Sequence, residues 1–152
     1  MAERSVTHAS FVIERNYPVK PQRVFAAFSD PAKKQRWFAP DDGSQIGSFE
    51  MDFRPGGRET RSFRASNGVV YTNHTTYQDI VPDRRIVLAY TMGSEGKPMS
   101  ASLSTFEFLA TETGTSLVFT EQAAFFEHSD GAKMREDGWR LLLDRLAKDL
   151  AS

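Results

Sequence analysis

The segment LVFTEQAAFF, residues 117–126, sets a carboxylate among apolar side chains. Side chains on a strand repeat every two residues, so Leu117, Phe119 and Glu121 share one face. If that face is the core, Glu121 points inward. A carboxyl group in an apolar pocket has a raised pKa, because desolvation disfavours its charged form. It could then accept a hydrogen bond from a ligand or act as an acid or base. The alternative is that the strand leaves the core here, and Glu121 pairs with an arginine or caps the following helix. Tyr77, Tyr90 and His74 are the groups that could complete an acid/base pair with it. The strand VVYTNHTTYQDIV leaves the register of Tyr77 and His74 open. With Ile80 inward, His74, Thr76 and Gln78 face inside; with Tyr77 inward, Tyr71, Asn73 and Thr75 do. Tyr77 is favoured, since an aromatic ring gains more from burial than His74, and a bulge would let both registers hold in part.

Other chemistries find less support. Cysteine is absent, which removes disulfides, thiolate metal sites and Cys nucleophiles together. His8, His74 and His128 are far apart and form no His-x-x-x-His pair, so no metal is expected. GSEG and PGG are turn material and lack the lysine and strand-to-helix setting of a phosphate loop, and no cofactor is expected. Arg58, Arg61 and Arg64 lie on one strand. They could place a cation at a cavity mouth for an acidic ligand, or form a solvated edge that discourages strand pairing.

The 152 residues make about one domain, with a formal net charge of −1 and a pI near 6.3. No basic run argues for nucleic acid. Nothing approaches the roughly 18 consecutive apolar residues of a membrane span, and the N-terminal stretch has no signal-peptide core. These features and the missing cysteines fit a cytoplasmic protein.

The elements that must position these groups follow from periodicity and punctuation. A first strand runs from His8 to about Tyr17, and Pro18 and Pro21 break it. Pro21 suits a first helical turn, and Asp30 before Pro31 marks a second helix start. A loop at Pro40, Asp41, Asp42 and Gly43 follows. SFEMDFR alternates Phe49, Met51 and Phe53 against polar residues. RETRSFR reads as a polar strand near an edge, and RRIVLAYTM puts Ile86, Leu88, Tyr90 and Met92 on one face. GSEGKP reads as a flexible loop, and SASLSTFEFL with TSLVFTEQAAFF forms the last hairpin. In the final helix, Trp139, Leu142, Leu143, Leu146 and Leu150 form one apolar stripe.

Consecutive strands with short turns imply an antiparallel sheet on which a lone amphipathic helix buries its stripe. The expected fold is α+β: six or seven strands curved around the last helix, with two short helices after the first strand. Where sheet and helix diverge, a gap remains. Trp37, Phe53 and Tyr90 are expected to face it, as are Phe106, Phe108, Phe119 and Trp139. With Tyr77, Glu121 and Leu142 they make up the candidate ligand-binding set.

PVKPQRVFAAFSDPAKKQRWF at 18–38, DFRPGGR at 52–58, DIVPDRRIV at 79–87, GTSLVFTEQ and GWRLLLDRL carry a family resemblance in their order and spacing. The chain resembles the START-like (SRPBCC) superfamily with its helix-grip fold. More narrowly, it resembles the family of homologues of the activator of the heat-shock-protein-90 ATPase. The resemblance implies one START-like domain over 1–152, and TEQ at 120–122 looks like a recurrent feature of single-domain bacterial relatives. Three functions follow. The leading one is binding of a small hydrophobic or aromatic ligand between sheet and helix. The second is an enzyme of polyketide cyclase or aromatase type, with Glu121 and Tyr77, Tyr90 or His74 as its acid/base pair. Activation of the chaperone ATPase ranks last, because co-chaperones of this type carry a further N-terminal domain and this one begins within about ten residues of Met1. A homodimer is left open.

Overall fold

Two prolines and one aspartate organise the first third of the fold. In the computed structural model, which describes residues 4–38 and 45–152, strand β1 (Thr7–Tyr17) ends just before Pro18. Helix α1 (Pro21–Ser29) begins on Pro21, where a missing N–H leaves no intrahelical bond unmade. The Asp30 carboxylate then accepts from the N–H groups of Ala32 and Lys33 at 2.9 and 3.3 Å, and starts α2 (Pro31–Trp37). The loop expected at Pro40–Gly43 lies outside the described residues.

Six further strands follow: β2 (Gln45–Met51), β3 (Arg58–Arg64), β4 (Val70–Val81), β5 (Arg85–Ser94), β6 (Lys97–Thr111) and β7 (Gly114–Phe125). Together they form one seven-stranded antiparallel sheet in the order β1-β7-β6-β5-β4-β3-β2. RETRSFR lies near the edge as expected, one strand in, with β2 outside it.

Two local readings are sharpened. GSEGKP is not a loop: β5 and β6 join through a two-residue turn at Glu95 and Gly96, both with positive φ (52° and 78°). That pair of conformations matches the twist of a hairpin, and glycine adopts it without strain. In β4 the register shifts between Tyr77 and Asp79. This bulge lets Tyr77 (1% exposed) and Ile80 both turn toward the core, while His74 is exposed on the other face. The PGG turn docks on the same spot. Gly56 N–H donates to the Tyr77 carbonyl at 2.8 Å, and Tyr77 N–H donates to the Gly57 carbonyl at 3.0 Å.

The last helix, α3 (Ala132–Ala151), buries Trp139, Leu143, Leu146 and Leu150 against the concave face of the sheet. The Tyr17 hydroxyl donates to the Leu143 carbonyl at 3.0 Å and fixes the helix to β1. Arg36 pairs with Asp149 at 3.0 Å and ties it to α2. The helix packs close to β1, α1 and α2 and stands away from β3, β4 and β5. The space between is the cavity.

Candidate functional site

The cavity has a volume of about 580 Å³. Its sheet wall carries Arg61 and Phe63 of β3, Asn73 and Thr75 of β4, and Leu88, Tyr90 and Met92 of β5. Phe106 of β6 contributes to the base. The helix wall carries Arg135, Gly138, Trp139, Leu142 and Arg145, and α2 supplies Lys34. Exposed Met134 and Leu141 stand at the rim.

Four of the expected residues line this space: Tyr90, Phe106, Trp139 and Leu142. Trp37, Phe53, Tyr77, Phe108 and Phe119 do not; they form the packed layer beneath it. Trp37 is fully buried and donates its indole N–H to the Ala27 carbonyl at 2.9 Å. Phe119 stacks on Phe106 with centroids 4.6 Å apart. Phe108 meets Phe25 and Phe28, and Phe53 meets Phe25 and Tyr77, in edge-to-face contacts. The physical reason is α1. Its buried face of Val24, Phe25 and Phe28 fills the space beside Trp37, Phe53 and Phe108, leaving no gap there, while Phe119 is covered by Trp139 at 4.5 Å.

Glu121 needs a correction of a different kind. The strand does not leave the core: Leu117, Phe119, Glu121, Ala123 and Phe125 all turn inward in strict alternation. Yet the Glu121 carboxylate, 0% exposed, does not reach the cavity. Tyr90 closes it off. The Tyr90 hydroxyl donates to Glu121 Oε1 at 2.8 Å, Ser104 donates to the same oxygen at 3.1 Å, and Ser102 approaches Oε2 at 3.5 Å. Arg135 Nη1 lies 3.8 Å from Oε2 and donates to the Tyr90 hydroxyl at 3.1 Å. Burial pushes the Glu121 carboxyl above its usual range, against the pull of Tyr90 and Arg135. The Tyr90 hydroxyl is itself pushed up by burial and by the charge of Glu121. Arg135 is anchored by two bonds to Asp130, at 2.9 and 3.0 Å. Both opening readings thus hold in part: Glu121 faces inward, and an arginine ties it up.

In a second buried polar cluster, Lys34 and Glu59 went unread in the sequence, whereas Arg61, singled out there with Arg58 and Arg64, is the one of the three that lines the cavity. On β3, Glu59, Arg61 and Phe63 alternate inward between exposed Arg58 and Arg64. Lys34 Nζ donates to Glu59 Oε1 at 2.6 Å, and the Tyr77 hydroxyl donates to the same oxygen at 2.5 Å. Burial pushes the Glu59 carboxyl up, but Lys34, Tyr77 and Arg61 together outweigh it and hold the group below the usual range. Burial also lowers the Lys34 amine, and Glu59 offsets only part of that. The Tyr77 hydroxyl is raised by burial and by Glu59. Arg61, 4% exposed, stacks 4.2 Å over the Phe38 ring and donates to the Phe38 carbonyl. Burial brings its guanidinium down to about 10, so it stays charged at neutral pH. The signal was the alternation within RETRSFR, where every second residue is Glu59, Arg61 and Phe63.

Among the described residues, no three His, Cys, Asp or Glu side chains converge as a metal site requires. No described helix is long and apolar enough to cross a membrane.

A curved antiparallel sheet gripping one long C-terminal helix over a cavity is the helix-grip architecture of START-like proteins. The chain belongs to the family described as activator of Hsp90 ATPase homolog 1-like protein, whose pattern it matches over residues 18–151. Among solved structures it is similar to a protein from Rhizobium leguminosarum, described as uncharacterised, at 39% identity and a TM-score of 0.92, covering 99% of both chains. A protein from Rhizobium loti is 47% identical with a TM-score of 0.88, over 96% of this chain and 99% of that one. One from Chromobacterium violaceum, at 24% identity and a TM-score of 0.75, over 91% of this chain and 95% of that one, shares the fold. No curated protein matches the chain.

Proposed function

We propose that the protein binds a small hydrophobic or aromatic ligand in the cavity between the sheet and α3. One observation carries this reading: a space of about 580 Å³, walled by Tyr90, Phe106, Trp139 and Leu142, sits at the centre of the fold. Ligand pockets of roughly 300–1,000 Å³ with mostly apolar walls and a few convergent polar groups are the usual form of a small-molecule site. Apolar contact would supply affinity at about 25 cal/mol per Å² buried. The polar groups would fix orientation.

An acid/base enzyme is less well supported. Glu121 lies behind Tyr90, off the cavity wall. Glu59, which is on the wall, is held below its usual range by Lys34 and Tyr77, both bonded to its Oε1, which makes it a weak base. A general base needs a free lone pair within reach of its substrate. Native mass spectrometry of freshly purified protein tests the binding reading. A co-purified species of a few hundred daltons, lost on organic extraction, is the expected result. Protein that carries nothing, and that no hydrophobic probe stabilises thermally, would overturn it.

A further inference from the structure

Three buried side-chain polar atoms have no hydrogen-bond partner among the described residues: Arg61 Nε, Asn73 Oδ1 and Arg145 Nη1. All three residues line the same cavity. An unpaired buried polar atom is destabilising, more so when charged, and native proteins hold few of them. The atoms themselves have no accessible surface, but the residues that carry them share the wall of one cavity, so polar groups short of partners are concentrated around it.

The wall carries both signs, but its carboxylates are each paired, Glu59 with Lys34, Asp130 with Arg135 and Asp144 with Arg15. That leaves Arg61, Arg145 and Lys148 as the cations without an ion-pair partner among the described residues. Arg61 and Arg145 share the wall with Lys34 and Lys148. Of the carboxylates beside them, Glu59 already accepts from Lys34 and Tyr77, and Asp144 pairs with Arg15 at 3.4 Å. Arg36 bonded to Asp149 draws α2 against the last turns of α3, which brings the α2 and α3 cations to one end of the cavity. The other end, at Asp130, is neutralised by Arg135. Arg61 lies 4.2 Å over the Phe38 ring and donates to the Phe38 carbonyl, so its guanidinium is held in place before any ligand arrives. A guanidinium fork that is pre-positioned and partly unbonded suits a planar two-oxygen anion.

We infer that the occupant of the cavity is an amphipathic monoacid, its carboxylate received by Arg61 and Arg145 and its apolar body lying along Tyr90, Phe106, Trp139 and Leu142. This rests on the binding function proposed above and names the chemical class of the ligand. Asn73 supplies the remaining polar contact, since its carboxamide can present either its oxygen or its N–H₂ group.

The test uses matched pairs that differ only in the head group: 2-naphthylacetate against 2-(2-naphthyl)ethanol, and dodecanoate against dodecan-1-ol. Each is titrated by calorimetry at neutral pH. In at least one pair the acid should bind tenfold or more tighter than its alcohol. Arg61→Met should remove most of that preference, by weakening the acid and leaving the alcohol unchanged. If Arg61→Met fails to fold, Arg145→Gln, at a half-buried position, carries the same comparison. Equal affinity for acid and alcohol in both pairs overturns the monoacid inference and leaves the hydrophobic site standing. So does an acid preference that survives substitution at both arginines. Failure of all four compounds to bind overturns the inference, and with protein that also carries no co-purified species it overturns the binding function as well.

Discussion

Lys34 Nζ lies 2.6 Å from Glu59 Oε1, with both residues almost wholly buried, and so joins α2 to β3 beside the cavity. Both also line the cavity, but burial leaves each charge little solvent contact. The pair need not add net stability over a well-packed apolar pair, but breaking it leaves a lone charge in a buried site. Glu59→Gln or Lys34→Met should each lower stability by about 3–5 kcal/mol. The double replacement Lys34→Met with Glu59→Leu should recover much of the loss. Urea unfolding of the three variants checks this, and additive losses would show that the two charges are not coupled.

The two buried carboxylates should respond to pH with opposite sign. Burial raises Glu121, so the native state holds its proton more tightly than the unfolded chain does. Its contribution therefore declines as pH rises from the ordinary glutamate range through the native value, and is level above that. Glu59 is lowered, so its contribution is complete above the ordinary range and is lost as pH falls through the native value. Relative to wild type, Glu121→Gln should look better at about pH 7 than at about pH 4, and Glu59→Gln should look worse. Unfolding free energies at the two pH values decide it; parallel curves would refute the assignment.

Trp139 lines the cavity, whereas Trp37 is sealed beneath it. A ligand that fills the cavity should change the tryptophan emission through Trp139 alone. Trp139→Phe should abolish the ligand-induced change while a Trp37 signal persists. An undiminished change in that variant would place the ligand elsewhere.

Gly138 sits inside α3 on the cavity wall, and a Cβ built there meets nothing within 4 Å. Glycine in a helix interior is about 1 kcal/mol less favourable than alanine. Gly138→Ala should therefore raise stability by up to about 1 kcal/mol with little effect on binding. Gly138→Trp should project a ring into the open space and slow ligand entry. Thermal melts and stopped-flow binding separate the two effects.

Much of this architecture was legible because it rests on local chemistry. Pro21 and Asp30 start their helices for reasons contained in two or three residues. The stripe from Trp139 to Leu150 needed only helical spacing. The site was harder. Phe119 and Trp139 read alike in a sequence, but Trp139 lies against Phe119 with centroids 4.5 Å apart and covers it, so one ring packs and the other lines the cavity. Glu121 read correctly as inward, yet its partners Tyr90, Ser104 and Arg135 come from β5, β6 and α3, and no spacing rule brings them together. Lys34 and Glu59 were passed over because a charged residue is almost never fully buried unless paired, and pairing is a tertiary fact. GSEGKP was misread for the opposite reason: its small and polar residues signal a loop, but two successive positive φ angles make the tightest hairpin connection available.

The sheet order β1-β7-β6-β5-β4-β3-β2 has a consequence for how the chain is made. Strands β2 to β7 each pair with the strand that follows or precedes them, so they can assemble as hairpins while synthesis continues. Strand β1 cannot. Its partners run from Phe125, opposite Thr7, to Thr115, opposite Tyr17. Strand β1 waits, unpaired, until β7 has been made, and a pairing of such long range carries a high loop-closure cost. Until that closure the Tyr17 hydroxyl has no Leu143 carbonyl to bond, and α3 has no wall on its β1 side. The cavity is therefore among the last features of the molecule to exist.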